Sequence, residues 1–101
     1  MKPVEIAPAA LDDLRAIALY IAEDNPERAD GFVAEIEARF AVIGERPLSF
    51  PARDEVSSGL RNAPYGRYRI FFRDLPHAVR IVRVVHAARD FVSLAGEEGF
   101  E

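Results

Sequence analysis

His86 is the residue in this 101-residue chain best suited to moving a proton, and it stands between Arg83 and Arg89. Arginines can grip a phosphodiester while a nearby imidazole acts as general base or acid, which is the chemistry of a metal-free ribonuclease. The plainer alternative is a histidine that only hydrogen-bonds at a strand end. Tyr65 and Tyr68, close in sequence to Arg61 and Arg69, are able to stack on bases, or simply to cover a sheet as hairpin aromatics. His77 falls in a turn and reads as solvated. The carboxylate pair Asp12-Asp13 reads as a helix-start feature, favourable against the helix dipole.

Several chemistries are excluded. The chain has no cysteine, so it has neither a disulfide framework nor a thiolate metal site. It has no HExxH and no histidine pair at helical spacing, so no metal is expected. It lacks a glycine-rich phosphate loop and a nucleophile elbow. No cofactor is expected.

The elements that position these residues follow from periodicity. Arg67 to Arg73 alternates, with Tyr68, Ile70 and Phe72 on one face and Arg67, Arg69, Phe71 and Arg73 on the other. That period of two predicts a strand. Val79 to His86 is nearly continuous in apolar β-branched residues, as in a central strand covered on both sides. Leu60 to Pro64 is a shorter strand ahead of a turn at Tyr65-Gly66, and Asp74-Leu75-Pro76-His77 is the next turn. The three strands are read as antiparallel. Upstream, Pro3 to Ala7 suits a short first strand. Pro8 then opens a helix to about Asp24, with Leu11, Leu14, Ile17, Ala18 and Ile21 as its apolar stripe. Asn25-Pro26-Glu27 is an N-cap, a proline and an acid, and restarts a helix running to about Arg46. Gly44 weakens its end and Pro47 stops it. So short a connection predicts an antiparallel helical hairpin. Leu48 to Ser58 reads as a loop. Phe91 to Leu94 reads as one helical turn or an extended arm, and the residues from Gly96 onward are expected to fray.

The fold class expected is therefore α+β: an N-terminal short strand and a helical hairpin packed on a C-terminal antiparallel sheet, in one domain over residues 1–101. The net charge is -4, unevenly spread. Residues 59–90 hold seven Arg against two Asp, whereas residues 1–58 hold six basic and twelve acidic groups. No apolar run reaches the roughly 20 residues that span a bilayer, and the start lacks the apolar core of a signal peptide. No membrane role is expected, and the location expected is cytoplasmic.

The order of these features resembles the ParE branch of the RelE/ParE toxins. The stretches that carry the resemblance are DLxxIxxYIAxDNPxxA from Asp13 to Ala29, GLR from Gly59, GRYRIFFR from Gly66 to Arg73, and RIVRVVHAARD from Arg80 to Asp90. It covers nearly the whole chain. The resemblance implies a toxin of a type II toxin–antitoxin system, held inactive by a ParD-like antitoxin and acting on DNA gyrase by protein–protein contact. RelE members instead cleave mRNA on the ribosome, and Arg61, Arg69, Arg83 and His86 would be the equivalents here. A third possibility is a non-toxic module that only binds an antitoxin. The acidic net charge suits a protein target better than ribosomal RNA, where phosphate attraction dominates affinity. No direct sequence-specific nucleic-acid binding is expected, and no catalytic residue is assigned. The antitoxin's amphipathic helix is expected on Leu14, Ile17, Tyr20 and Ile21, with its acidic groups on Arg61, Arg69, Arg73 and Arg80. Tyr68, Arg83, His86 and Arg89 are expected to face the target.

Overall fold

The computed structural model describes residues 2–97, 99 and 100. Strand β1 (Val4–Ile6) leads into helix α1 (Pro8–Asp24) and then α2 (Pro26–Glu45). After a 3-10 turn (Pro47–Ser49) and a loop come β2 (Leu60–Tyr65), β3 (Tyr68–Asp74), β4 (Val79–His86) and the single turn α3 (Phe91–Leu94). Asn25 caps α2 as its sequence implies, its side chain accepting the Arg28 N–H at 3.1 Å. Pro8 and Pro26 each open a helix, where a missing N–H costs nothing. Gly44 does more than weaken a helix end. A Cβ there would sit 2.6 Å from Val4 Cγ2, so its absence lets α2 lie against β1.

The sheet has four strands in the order β1-β4-β3-β2. The pairs β2–β3 and β3–β4 are antiparallel, as the alternating pattern implies. β1 joins as a parallel neighbour of β4, with Val4 opposite Val79, so the sheet is mixed. Phe71 pairs with Arg83 but Phe72 pairs with Ile81, which leaves Val82 as the extra residue of a bulge. Around it, Ile81 and Val84 join the core under the helices, while Val82 and Val85 join a second cluster.

Two cores result, one on each face. The inner core sets Leu14 of α1 and Phe32, Ile36, Phe40 and Ile43 of α2 against Ile70, Phe72, Ile81 and Val84. The outer one contains Val56, Leu60, Phe71, Val82, Val85, Leu94 and Phe100. That outer core corrects the expectation of a fraying tail. Leu94 and Phe100 are fully buried, and Phe100 meets Phe71 edge-on at 5.1 Å. Burying an aromatic ring and a leucine offsets the entropy of ordering the chain that carries them. Gly99 makes the fit possible. It has φ +96°, and a Cβ there would come within 2.8 Å of the Arg83 side chain. Glu98 and Glu101 lie outside the described residues.

A second correction concerns Asp12 and Asp13. Because α1 starts at Pro8, no acid falls in its first turn, so the dipole does not explain the pair. Asp13 instead completes β4. Beyond Ile81, whose carbonyl accepts the Ala7 N–H at 2.8 Å, β1 has ended and β4 has no partner strand on that edge. There the Asp13 carboxylate accepts the Val84 N–H at 2.9 Å.

Candidate functional site: an aromatic groove

A groove runs between α1, the start of α2 and the β2–β3 hairpin. One part, about 360 Å³, is lined by Ala16, Ile17, Tyr20, Arg67, Tyr68 and His86. The adjoining part, about 510 Å³, shares Tyr20, Arg67 and Tyr68 and adds Ile21, Arg28, Phe32, Tyr65 and Gly66. The hairpin turn at Gly66-Arg67 brings Tyr65 and Tyr68 opposite each other. Both rings pack on Phe32, at 5.9 and 5.5 Å between centroids. Tyr68 also meets His86 across the β3–β4 pair at 5.7 Å, edge to face. Tyr20, on the opposite wall, is 71% exposed.

One wall is fastened by a polar link that the sequence did not announce. The Tyr65 hydroxyl donates to Glu35 at 2.6 Å, and Arg28 donates to the same carboxylate oxygen at 3.0 Å. The Tyr65 bond first, and Arg28 second, hold the Glu35 carboxyl below its ordinary pKa. Burial, reinforced by the Glu35 bond, pushes the Tyr65 phenol up. The only signal in the sequence was spacing: Arg28 and Glu35 are two turns apart on one helix face.

Of the four residues expected to face a target, the structure unites Tyr68 and His86 in the groove. His86 accepts the Ala88 N–H through Nδ1 at 3.0 Å, so this ring nitrogen is already engaged. Arg83 is turned away. It forms a two-pronged ion pair with Asp13, at 2.7 and 3.0 Å, and lies over the Phe100 ring at 5.0 Å. Arg89 is paired with Glu97.

The residues expected to meet an antitoxin also divide. Ile17, Tyr20 and Ile21 line the groove, whereas Leu14 is buried in the inner core. Arg61 donates to the Phe50 carbonyl at 2.7 Å, holding the preceding loop against the edge of β2. Arg73 reaches Ser57 Oγ at 2.5 Å, the Ser58 carbonyl at 2.7 Å and the Phe100 carbonyl at 2.8 Å, tying loop to tail. Arg80 stands 3.7 Å from Glu5, with both side chains half-buried. Arg69 is half-buried on β3, and neither it nor Arg67 has an ion-pair partner among the described residues. No group of His, Asp or Glu among the described residues is arranged to hold a metal ion. No described helix is long and apolar enough to cross a membrane.

Comparison with known proteins adds to this geometry. Residues 4–91 match the family described as ParE toxin of type II toxin–antitoxin system, parDE. No curated protein sequence matches the chain. Among solved structures, the fold is similar to a chain of the chromosomal ParDE TA system from P. aeruginosa. The TM-score is 0.73 at 21% identity, covering 85% of this chain and 96% of that one. It is also similar to a chain of the RelBE2 toxin–antitoxin complex from Mycobacterium tuberculosis. There the TM-score is 0.58 at 27% identity, covering 84% and 96%.

Proposed function

The chain belongs to the ParE toxin family of type II toxin–antitoxin systems, and from that premise we propose that it inhibits DNA gyrase by protein–protein contact and is neutralised by a ParD-like antitoxin. The observation that carries this reading is the shared groove: Ile17 and Tyr20 line the same cavity as Tyr68 and His86. An antitoxin helix laid on Ile17, Tyr20 and Ile21 would cover the tyrosine and histidine that meet the target. Neutralisation is then occlusion. The apolar and aromatic floor suits an amphipathic helix, and Arg28 and Arg67 at its rim suit acidic flanking side chains. The whole chain serves as one toxin domain in this reading.

The disposition of the arginines supports a protein target over RNA. Cutting a phosphodiester without metal takes several cations gathered about the phosphate beside a proton carrier. Arg61 and Arg83 instead serve internal partners, a carbonyl and a carboxylate. The runner-up, an mRNA endoribonuclease, draws on Arg67, Tyr68 and His86 lining one cavity.

The test begins with the chain purified together with its antitoxin and then freed from it. Plasmid topology in the presence of gyrase should show trapped cleavage complexes, lost on Tyr68→Ala and on adding antitoxin. Tyr20→Asp should weaken antitoxin capture. Fragmented mRNA with unaltered plasmid topology would replace this reading with the nuclease one.

A further inference from the structure

The helical hairpin has a second surface, on the side of α1 away from the aromatic groove. Ala18 and Ala22 of α1 and Ala29 of α2 form a shallow apolar trough of about 480 Å³, and Leu19 lines it too. Leu19 is 69% exposed although it is a large aliphatic side chain. Leu14, Ile17 and Ile21 of the same helix belong to or pack against the inner core, so Leu19 is not needed there. The trough is edged by opposite charges on its two walls, Arg15 on α1 and Asp30 on α2. Among the described residues Arg15 reaches only Asp12, at 3.7 Å and with both side chains mostly in solvent. Asp30 has no ion-pair partner among the described residues.

A surface with an apolar centre, a cation on one wall and an anion on the other is complementary to itself. Turned by a two-fold rotation about an axis through its centre, each arginine meets the aspartate of the other copy, and each Leu19 meets the other's trough. This is the condition for an isologous contact. We infer that the outer face of the α1–α2 hairpin joins two copies of this chain, with Leu19 in the facing trough and Arg15 paired to Asp30 across the two-fold axis. The hairpin face is small. Helices of 17 and 20 residues, about 10 Å in diameter, present roughly 500 Å² of outer face, against about 800 Å² per partner in a standard stable interface. The dimer is therefore a weak one, seen at high concentration. It leaves Ile17, Tyr20 and Ile21 uncovered, so the two copies can each hold a further partner.

The experiment is sedimentation equilibrium of the purified chain from low micromolar to near-millimolar concentration. A reversible monomer–dimer equilibrium is expected. Leu19→Asp should raise its dissociation constant at least about tenfold, equivalent to about 1.4 kcal/mol. Arg15→Glu and Asp30→Arg should each weaken it, because each sets like charges face to face. The double substitution should restore it, since the pair is then only reversed. All of these positions are exposed, and an unchanged helical circular dichroism signal reports that each variant is folded. A chain that stays monomeric throughout would overturn the inference. So would a dimer that ignores Leu19→Asp, or one that the charge-reversed double variant fails to rescue.

Discussion

The imidazole of His86 is held by two neighbours, the Tyr68 ring in a T-shaped contact and the Ala88 amide on Nδ1. If the chain inhibits gyrase as proposed, a contact residue so held should tolerate His86→Gln: growth arrest and gyrase inhibition are expected to stay within about tenfold, whereas loss of a true general base removes on the order of 10²–10⁴ in rate. Asp13 is a different case. Its carboxylate serves Arg83 and the Val84 amide at once, and both charged side chains are about 15% exposed. Asp13→Ala takes the two-pronged carboxylate from a largely buried guanidinium and the acceptor from a strand N–H together, so denaturant melts should show a loss of about 3–5 kcal/mol. The Tyr65–Glu35–Arg28 link makes a pH-dependent contribution. Because Glu35 is held below its ordinary pKa, the unfolded chain takes up the proton first as acid is added. The stabilisation is fully present above about pH 4.3 and is lost as the pH falls from there through the depressed value. Thermal melts of Tyr65→Phe should show a shallower decline across that acid range than the wild type.

At the scale of elements, the helices and the three longer strands were legible because each is local. Asn25-Pro26 marks its own boundary, and the alternation from Tyr68 to Phe72 declares its own faces. The tail was not legible. Phe100 follows two glycines and two glutamates, a stretch whose composition signals disorder. Its burial depends on Phe71 and Arg83, well upstream, and on the φ of Gly99. The bulge at Val82 was equally hidden, since a run of valines and isoleucines gives no sign of where its register slips. For the same reason the role of Asp13 could not be read from α1: it depends on where β1 stops. The candidate site was half legible. Aromatic and aliphatic groove residues lie on faces that periodicity predicts, but the partners of Arg61, Arg73 and Arg83 are set by tertiary packing. The tail has a measurable role. Phe100→Ala should cost about 3 kcal/mol or more in a denaturant melt, and it should raise binding of a hydrophobic dye as Phe71, Val82 and Val85 become accessible.

Over the whole molecule, the sheet is clothed on both faces, by the hairpin on one side and by loop and tail on the other. Arg61, Arg73 and Arg83 of its basic strands thereby serve partners within the chain. The parallel pairing of β1 with β4 also has a kinetic consequence. Val4 must find Val79, so this edge closes the longest loop of any strand pair in the fold, whereas the α1–α2 and β2–β3–β4 hairpins join near neighbours in the chain. Contacts between distant residues are made only after loop-closure entropy has been overcome, and they slow folding. The hairpins are expected to assemble first, with β1 sliding in against β4 and the flat side of Gly44 afterwards. Stopped-flow measurements on Val4→Ala should then show faster unfolding and a nearly unchanged refolding rate. The first strand made would be the last to dock, and it would act as the latch that sets how long a folded molecule survives.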